Sequence, residues 1–296
     1  MSETAQRNLF ASGHTACPGC GQSLAARLVV EVAGPDTIIA NNTGCLEVFS
    51  TKYPESAWCV PWIHSLFENA AAVASGIESA LKFQGKKDSI SVIAQAGDGG
   101  TADIGMQALS GMWERGHDIL AICYDNEAYE NTGIQRSGLT PFNAITTTSP
   151  SGAQSFGNPR PKKPVPEIAN AHGIAYVATA SVGFPQDLQK KVKKALSIKG
   201  PKYLQIHSPC PLGWGSPPEL TYQIARLAVQ TGLYPLIEYE NGVLTGVFKI
   251  SPKPVEEYLK PQRRFRHVIN NPEELAKIQE IANNNIKKYG LISEGS

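Results

Sequence analysis

The sequence predicts an α/β fold, an open parallel sheet flanked by helices with a C-terminal arm, on three observations. Short β-branched apolar runs alternate with helical patterns, a glycine-rich turn follows one of those runs directly, and the last third of the chain loses the alternation. Residues 37–40, 90–95 and 119–124 read as buried strands. Between them, 68–83 (ENAAAVASGIESALKF) and 103–115 read as helices, the first small and Ala-rich enough to lie close against a sheet or another subunit. Residues 175–178 and 203–206 continue the sheet, with a Lys-rich amphipathic helix at 185–197 between them. From 131 to 164 the chain is rich in Thr, Ser, Gly and Pro without a clear period, and irregular segments of that length inside compact domains are usually functional or disordered. After Cys210, PLGWGSPPE leads into a helix near 220–232, a hairpin-like apolar stretch at 236–250 and a charged helix near 272–288. The expected organisation is therefore an α/β domain over 1–212 and an extension over 213–296 that packs on that domain and on partner subunits.

Lys and Arg number 27 against 26 Asp and Glu, so the near-neutral whole-chain field gives no electrostatic case for nucleic acid or an anionic membrane. Small molecules and proteins are the expected partners. The opening MSETAQRNLF lacks a basic region followed by an apolar core, and no stretch approaches the roughly 20 apolar residues that span a bilayer. A cytoplasmic location is expected. There, the six cysteines should remain reduced, and their spacing asks for a metal reading.

Cys17 and Cys20 form a Cys-Pro-Gly-Cys turn, Cys45 follows, and Cys210 lies in Ser-Pro-Cys-Pro. Four such thiolates suffice for one all-sulfur site, and the neighbouring Pro and Gly make tight turns that direct sulfurs and backbone N–H groups at a common centre. Zinc accepts four thiolates as readily, so spacing alone leaves zinc and iron–sulfur open. Cys59 and Cys123 sit in apolar runs and read as small core residues.

Gly97-Asp98-Gly99-Gly100 ends a predicted strand and precedes a predicted helix, the position at which open α/β sheets bind anionic ligands. A lone Gly-Asp-Gly is more often an ordinary turn. Here Asn126 follows the triplet after 26 intervening residues, at the end of the next predicted strand. The two side chains should therefore meet at one sheet edge. A carboxylate, an amide oxygen and a backbone carbonyl two residues on, at Ala128, together with two phosphate oxygens, give the hard-oxygen shell that Mg2+ requires. The spacing is that of a thiamine diphosphate site of the pyrophosphate-binding type.

With these motifs in place, the chain resembles, over nearly its whole length, the beta subunits of pyruvate:ferredoxin oxidoreductases, in the 2-oxoacid:ferredoxin oxidoreductase family. The resemblance is carried by CPGC with Cys45 and Cys210, and by PWIHSLFENAAAVASGIE, GDGGTADIG, YDNEAYENTGIQRSG and TTTSPSG. It implies a 4Fe-4S cluster on Cys17, Cys20, Cys45 and Cys210, and Mg2+ on Asp98, Asn126 and the Ala128 carbonyl. Gly44 and Cys45 would lie beside the cofactor, and Asn131 and Thr132 near the diphosphate and the reacting carbons. The implied reaction is oxidative decarboxylation of pyruvate with coenzyme A, electrons leaving through the cluster to ferredoxin. One partner follows from size: the Gly-Asp-Gly module consumes the chain, so an alpha subunit must supply the pyrimidine-binding domain and its activating carboxylate. Gamma and ferredoxin-like delta subunits, or their equivalents, complete the implied complex. Glu47 and Glu68, the candidate substitutes for that carboxylate, read as structural or interface residues.

One segment departs from the family pattern. Thr-Pro-Tyr-Gly-Ala appears as Thr140-Pro141-Phe142-Asn143-Ala144, placing a polar group where the resemblance puts the catalytic face and leaving oxalate or a branched 2-oxoacid as alternative substrates. Arg136 is a candidate contact for a substrate or coenzyme A anion and His64 for the partner or the cofactor, though solvation or pairing explains the arginine and a structural role the histidine as well, and 190–194 (KKVKK) reads as a solvated helix face. Two rival classes remain from the residues alone: a non-redox thiamine lyase or ligase with a structural four-cysteine zinc site, and a metal-binding interaction module.

Overall fold

The computed structural model describes residues 8–293, and their apolar runs form the sheet that the sequence predicts. The first half comprises α1 (Gly21–Ala33), β1 (Thr37–Asn41), α2 (Cys45–Ser50), β2 (Trp62–His64), α3 (Ala70–Phe83), β3 (Ser91–Gly97), a π-helical turn (Gly99–Asp103), α4 (Met106–Glu114) and β4 (Leu120–Asp125). The small strands β5 (Ser151–Gly152) and β6 (Ser155–Phe156) follow, then α5 (Val165–Ala171), β7 (Tyr176–Ser181), α6 (Pro185–Ser197) and β8 (Lys202–His207). The remainder is α7 (Pro211–Trp214), α8 (Thr221–Gln230), β9 (Ile237–Glu240), β10 (Val243–Val247), α9 (Val255–Leu259), α10 (Arg266–Ile269) and α11 (Pro272–Tyr289).

Among the described residues the main sheet has eight strands in the order β10-β9-β7-β8-β4-β3-β1-β2, parallel from β7 to β2. Strand alternation assigns the two faces. Leu120, Ile122 and Tyr124 of β4 enter a core with Val29 of α1 and Val192 of α6, whereas Ala121 and Cys123 face Ala74 of α3, Met112 of α4 and Val165 of α5. Each such aliphatic side chain taken from water contributes on the order of 1.5–3 kcal/mol, so both faces must be covered. Chain order reverses between β1 and β3, since β2 lies outside β1 and β4 outside β3. In open α/β sheets that switch point leaves a crevice at the strands' carboxyl ends.

The structure departs from the expected elements in instructive ways. The helix expected over 103–115 starts at Met106, because the glycine-rich turn first winds as a π-helix. Helix α1 was not among the expected elements; Cys20 caps it, its sulfur accepting from the Ser23 N–H. Cys59 is exposed, not a core residue, although its neighbours Trp58 and Val60 are buried. Lys191 is buried rather than solvated, its Nζ donating to Thr179 O at 2.9 Å and Asp187 at 2.8 Å.

The hairpin β9–β10 turns at Asn241-Gly242, both at positive φ (49° and 86°), as a two-residue hairpin requires. Strand β9 then pairs antiparallel with β7, so residues beyond 212 extend the main sheet. Helices α8, α9 and α11 gather around a third core containing Trp214, Leu259, Phe265 and Ile278. No helix among the described residues is long and apolar enough to cross a membrane.

Candidate active site

At the switch point, the segments following β1, β3 and β4 enclose a cavity of about 260 Å³. Gly44, Cys45, Gly97, Asp98, Gly99, Gly100, Asn126, Ala128, Asn131 and Thr132 all line it. Parallel pairing of Gly97 with Tyr124 brings the two motif-bearing tips side by side. Gly99 is a glycine for want of space: a Cβ there would lie 2.3 Å from the Tyr129 ring, which with Phe67 forms part of the wall. Asp103 fixes that ring and the following loop together, accepting from Tyr129 Oη at 2.9 Å and Gly138 N at 2.8 Å.

Asp98 and Asn126 are buried and face each other. With its nitrogen turned toward them, the Asn126 amide donates to Asp98 Oδ1 at 2.7 Å and to the Ala128 carbonyl oxygen at 2.9 Å. Turning the amide over would present its oxygen to the same two groups, a choice that depends on what occupies the site. In that second orientation three hard oxygens would face one point, the donor type that Mg2+ takes. Burial and the nearby Asp125 push the Asp98 carboxyl well above its usual range, a cost that a cation would reverse. Ser137 Oγ donates to the other carboxylate oxygen.

The cysteines come together by a different route. Gly21 N donates to Pro209 O at 3.0 Å and Thr221 Oγ1 to Gly19 O at 2.7 Å, clamping the Cys-Pro-Gly-Cys turn onto the Ser-Pro-Cys-Pro loop. Cys210 caps α7, its sulfur accepting from Gly213 N, and Cys45 begins α2. Burial, then the charges of Glu130, Cys20 and Cys17, push the Cys45 thiol up to about 12. Burial and Glu130, with further contributions from Cys20 and Cys45, also raise Cys210. The thiols are thus electrostatic neighbours, yet among the described residues no three His, Cys, Asp or Glu side chains are gathered closely enough for one metal ion.

Glu130, which the sequence reading did not single out, lines the cavity with Cys45. Burial raises its carboxyl to about 7, although Arg264 and Cys210 offset part of the cost. Its carboxylate sits against Gly213, where a Cβ would come within 1.8 Å. Gln22, Thr43, Phe67 and Tyr129 also line the wall.

Glu47 and Glu68 are not part of this wall. His64 shares a 2.9 Å hydrogen bond with Thr43, and Arg136 donates to Asn158 at 3.2 Å. Asn143 is buried outside the cavity lining, with its amide donating to Glu274 of α11 at 2.8 Å. Its φ of 63° explains the departure from glycine, because asparagine also tolerates the left-handed region.

Residues 42–206 match the family model of the thiamine pyrophosphate enzyme C-terminal, TPP-binding domain. The chain is 57% identical to the pyruvate synthase subunit PorB of Methanosarcina barkeri, over 98% of this chain and 100% of that protein. It is 51% identical to the ketoisovalerate oxidoreductase subunit VorB of Pyrococcus abyssi, over 89% and 86% respectively. Its fold is similar to that of 2-oxoglutarate:ferredoxin oxidoreductase from Magnetococcus marinus, solved with 2-oxoglutarate, coenzyme A and succinyl-CoA bound; the TM-score is 0.60 at 21% identity, covering 100% of this chain and 94% of that one. The chain belongs to the pyruvate synthase PorB family, enzyme-complex subunits built on a thiamine pyrophosphate-binding domain.

Proposed function

We propose that this chain is the beta subunit of a complex that converts pyruvate and coenzyme A to acetyl-CoA and CO2, passing two electrons singly to two oxidised ferredoxins. Cys45 carries the proposal: it lines the thiamine cavity and is also an electrostatic neighbour of Cys17, Cys20 and Cys210. In this reading Asp98, Asn126 and the Ala128 carbonyl hold Mg2+ and the diphosphate, and the four cysteines hold a 4Fe-4S cluster. Bound thiamine diphosphate supplies the carbon nucleophile and electron sink that decarboxylation of a 2-oxoacid needs.

The chain's own residues bind, orient and shield. Gly99 and Gly100 admit the diphosphate to the backbone, while Asn131 and Thr132 face the reacting end. Asn131 lines the cavity with Cys45, and Gln135 Nε2 donates to the Thr132 carbonyl at 2.8 Å to hold the loop. An alpha subunit brings the pyrimidine-binding domain, and gamma and ferredoxin-like delta subunits or their equivalents carry electrons onward. A cytoplasmic location follows from the same reading.

The 51% identity to a ketoisovalerate oxidoreductase subunit favours a branched 2-oxoacid as the second substrate reading. The purified complex is assayed for ferredoxin or viologen reduction with pyruvate, 2-oxoisovalerate, 2-oxoglutarate and oxalate, with and without coenzyme A. Pyruvate should give the highest kcat/KM and require coenzyme A. A higher value with 2-oxoisovalerate would transfer the assignment to the branched acid, and turnover without reduction of an acceptor would replace it by the lyase reading.

A further inference from the structure

The magnesium-binding turn contains a residue in an unfavourable conformation. Glu127, between Asn126 and Ala128, has a φ of 69°. Left-handed backbone is costly for a residue with a long side chain and persists where its surroundings impose it. The inversion turns the Asn126 amide and the Ala128 carbonyl toward one point.

The surroundings that impose it come in part from the C-terminal segment. Arg264 Nη2 donates to Glu127 Oε2 from 137 residues away, and the two residues are only 6% and 3% exposed. The Arg264 guanidinium lies 3.7 Å from the centroid of the Trp214 ring. The indole N–H of Trp214 in turn donates to Asn126 O at 2.8 Å. Lys162 holds the second Glu127 carboxylate oxygen at 2.8 Å, and Thr140 Oγ1 donates to the Glu127 carbonyl at 2.7 Å. One arginine therefore braces both sides of the inverted peptide: the side chain of Glu127 directly, and the carbonyl of Asn126 through Trp214. Trp214 stands four residues after Cys210, so the same brace ties the cation turn to the cysteine loop.

We propose that Arg264, acting through Glu127 and Trp214, is a positioning residue for the divalent-cation site, and that the C-terminal extension sets the affinity for the metal–diphosphate unit. This rests on Asp98, Asn126 and Ala128 being the cation ligands. It differs from a role in packing alone, which would lower stability and leave cation affinity unchanged. Arginine matters here as a planar fork that pairs with a carboxylate while stacking on an indole, a combination that lysine lacks.

The test uses the assembled complex with thiamine diphosphate and follows Mn2+ binding by loss of the free-ion EPR signal. Arg264→Gln should raise the half-saturating Mn2+ concentration by about tenfold or more, in the range typical of residues that orient metal ligands, with turnover at saturating Mn2+ within about twofold of wild type. Arg264→Lys should show a smaller shift in the same direction, and carries the comparison if the glutamine variant does not assemble. Glu127→Gly accepts the left-handed backbone without strain and removes one of the two routes, so adding Arg264→Gln to that background should have a clearly smaller effect than it has in wild type, the route through Trp214 alone remaining. Unchanged half-saturation in a folded Arg264 variant overturns the proposal, as does equal weakening by Arg264→Gln in both backgrounds. If thiamine diphosphate binds the wild-type complex without any divalent cation, the magnesium reading itself fails.

Discussion

At the residue scale, the two putting-together events in the site have separable chemistries. Asp98 is a hard-oxygen donor remote in sequence from the thiolates, so Asp98→Ala should lower thiamine-dependent kcat/KM by at least about a hundredfold while iron and sulfide per chain remain unchanged. Full activity in that variant would remove the cation assignment. Cys20→Ser should instead reduce iron, sulfide and the visible thiolate-to-iron absorption together, because a hydroxyl is a poor ligand for iron. His207, whose Nε2 lies 3.9 Å from Glu127 Oε1, supplies a pH prediction. It is fully buried among Trp214, Tyr234 and Tyr258, and burial lowers its pKa from 6.5 to about 3. Between those values the unfolded chain binds a proton that the folded chain refuses, so stability rises with pH across the window and falls as pH drops below 6.5. His207→Phe should thus shrink the difference in unfolding free energy between pH 8 and pH 5 by about 2 kcal/mol, measured by denaturant titration. An unchanged difference would mean that the imidazole is not held neutral.

At the element scale, the sequence made strand ends legible because buried parallel strands are short apolar runs bounded by glycine or aspartate. The tips of β3 and β4 could be matched by spacing alone, which is why Asp98 and Asn126 were both anticipated. Tyr129, Phe67, Ser137 and Glu130 were not. They reach the site by tertiary approach, and a tyrosine over a glycine or a serine on a carboxylate leaves no periodic trace. Asn143 misled for a related reason, since a glycine-to-asparagine change was read as chemistry when its positive φ makes it a matter of backbone conformation. The Asn241-Gly242 turn was only partly legible: an apolar hairpin was expected, but not its pairing with β7. Gly242, at a φ of 86°, should resist replacement. Gly242→Val is expected to lower unfolding free energy by about 1–2 kcal/mol, the cost of a left-handed β-branched residue, with no change in half-saturating Mn2+. A cation effect from that substitution would show that any damage to the C-terminal segment mimics loss of Arg264.

At the scale of the whole molecule, the proposed reaction draws its pyrimidine-binding surface from a partner subunit. The cavity wall contains the anion-binding turn and the proposed cation ligands, but Glu47 and Glu68 lie outside it and Glu130 lies on the cysteine side. The surrounding elements carry exposed apolar side chains, with Val48, Ile63, Leu66 and Ile104 between 44% and 65% accessible. Such a surface suits a second subunit better than water. The lone chain should therefore carry its cluster and bind Mg2+ with thiamine diphosphate weakly, yet release no CO2 from labelled pyruvate under anaerobic conditions until the alpha subunit is added. Turnover by the lone chain at the rate of the complex would show that the whole catalytic site resides in it.

The central claim is that one chain holds both the thiamine cavity and the first electron acceptor, joined at Cys45. The most direct measurement is EPR of the anaerobic complex frozen after addition of pyruvate, comparing wild type with Asp98→Ala. Wild type should develop the signal of a reduced cluster, and the variant should show it with dithionite but not with pyruvate. A pyruvate-induced signal of equal size in Asp98→Ala, or turnover in a complex whose beta chain holds no iron, would contradict the account.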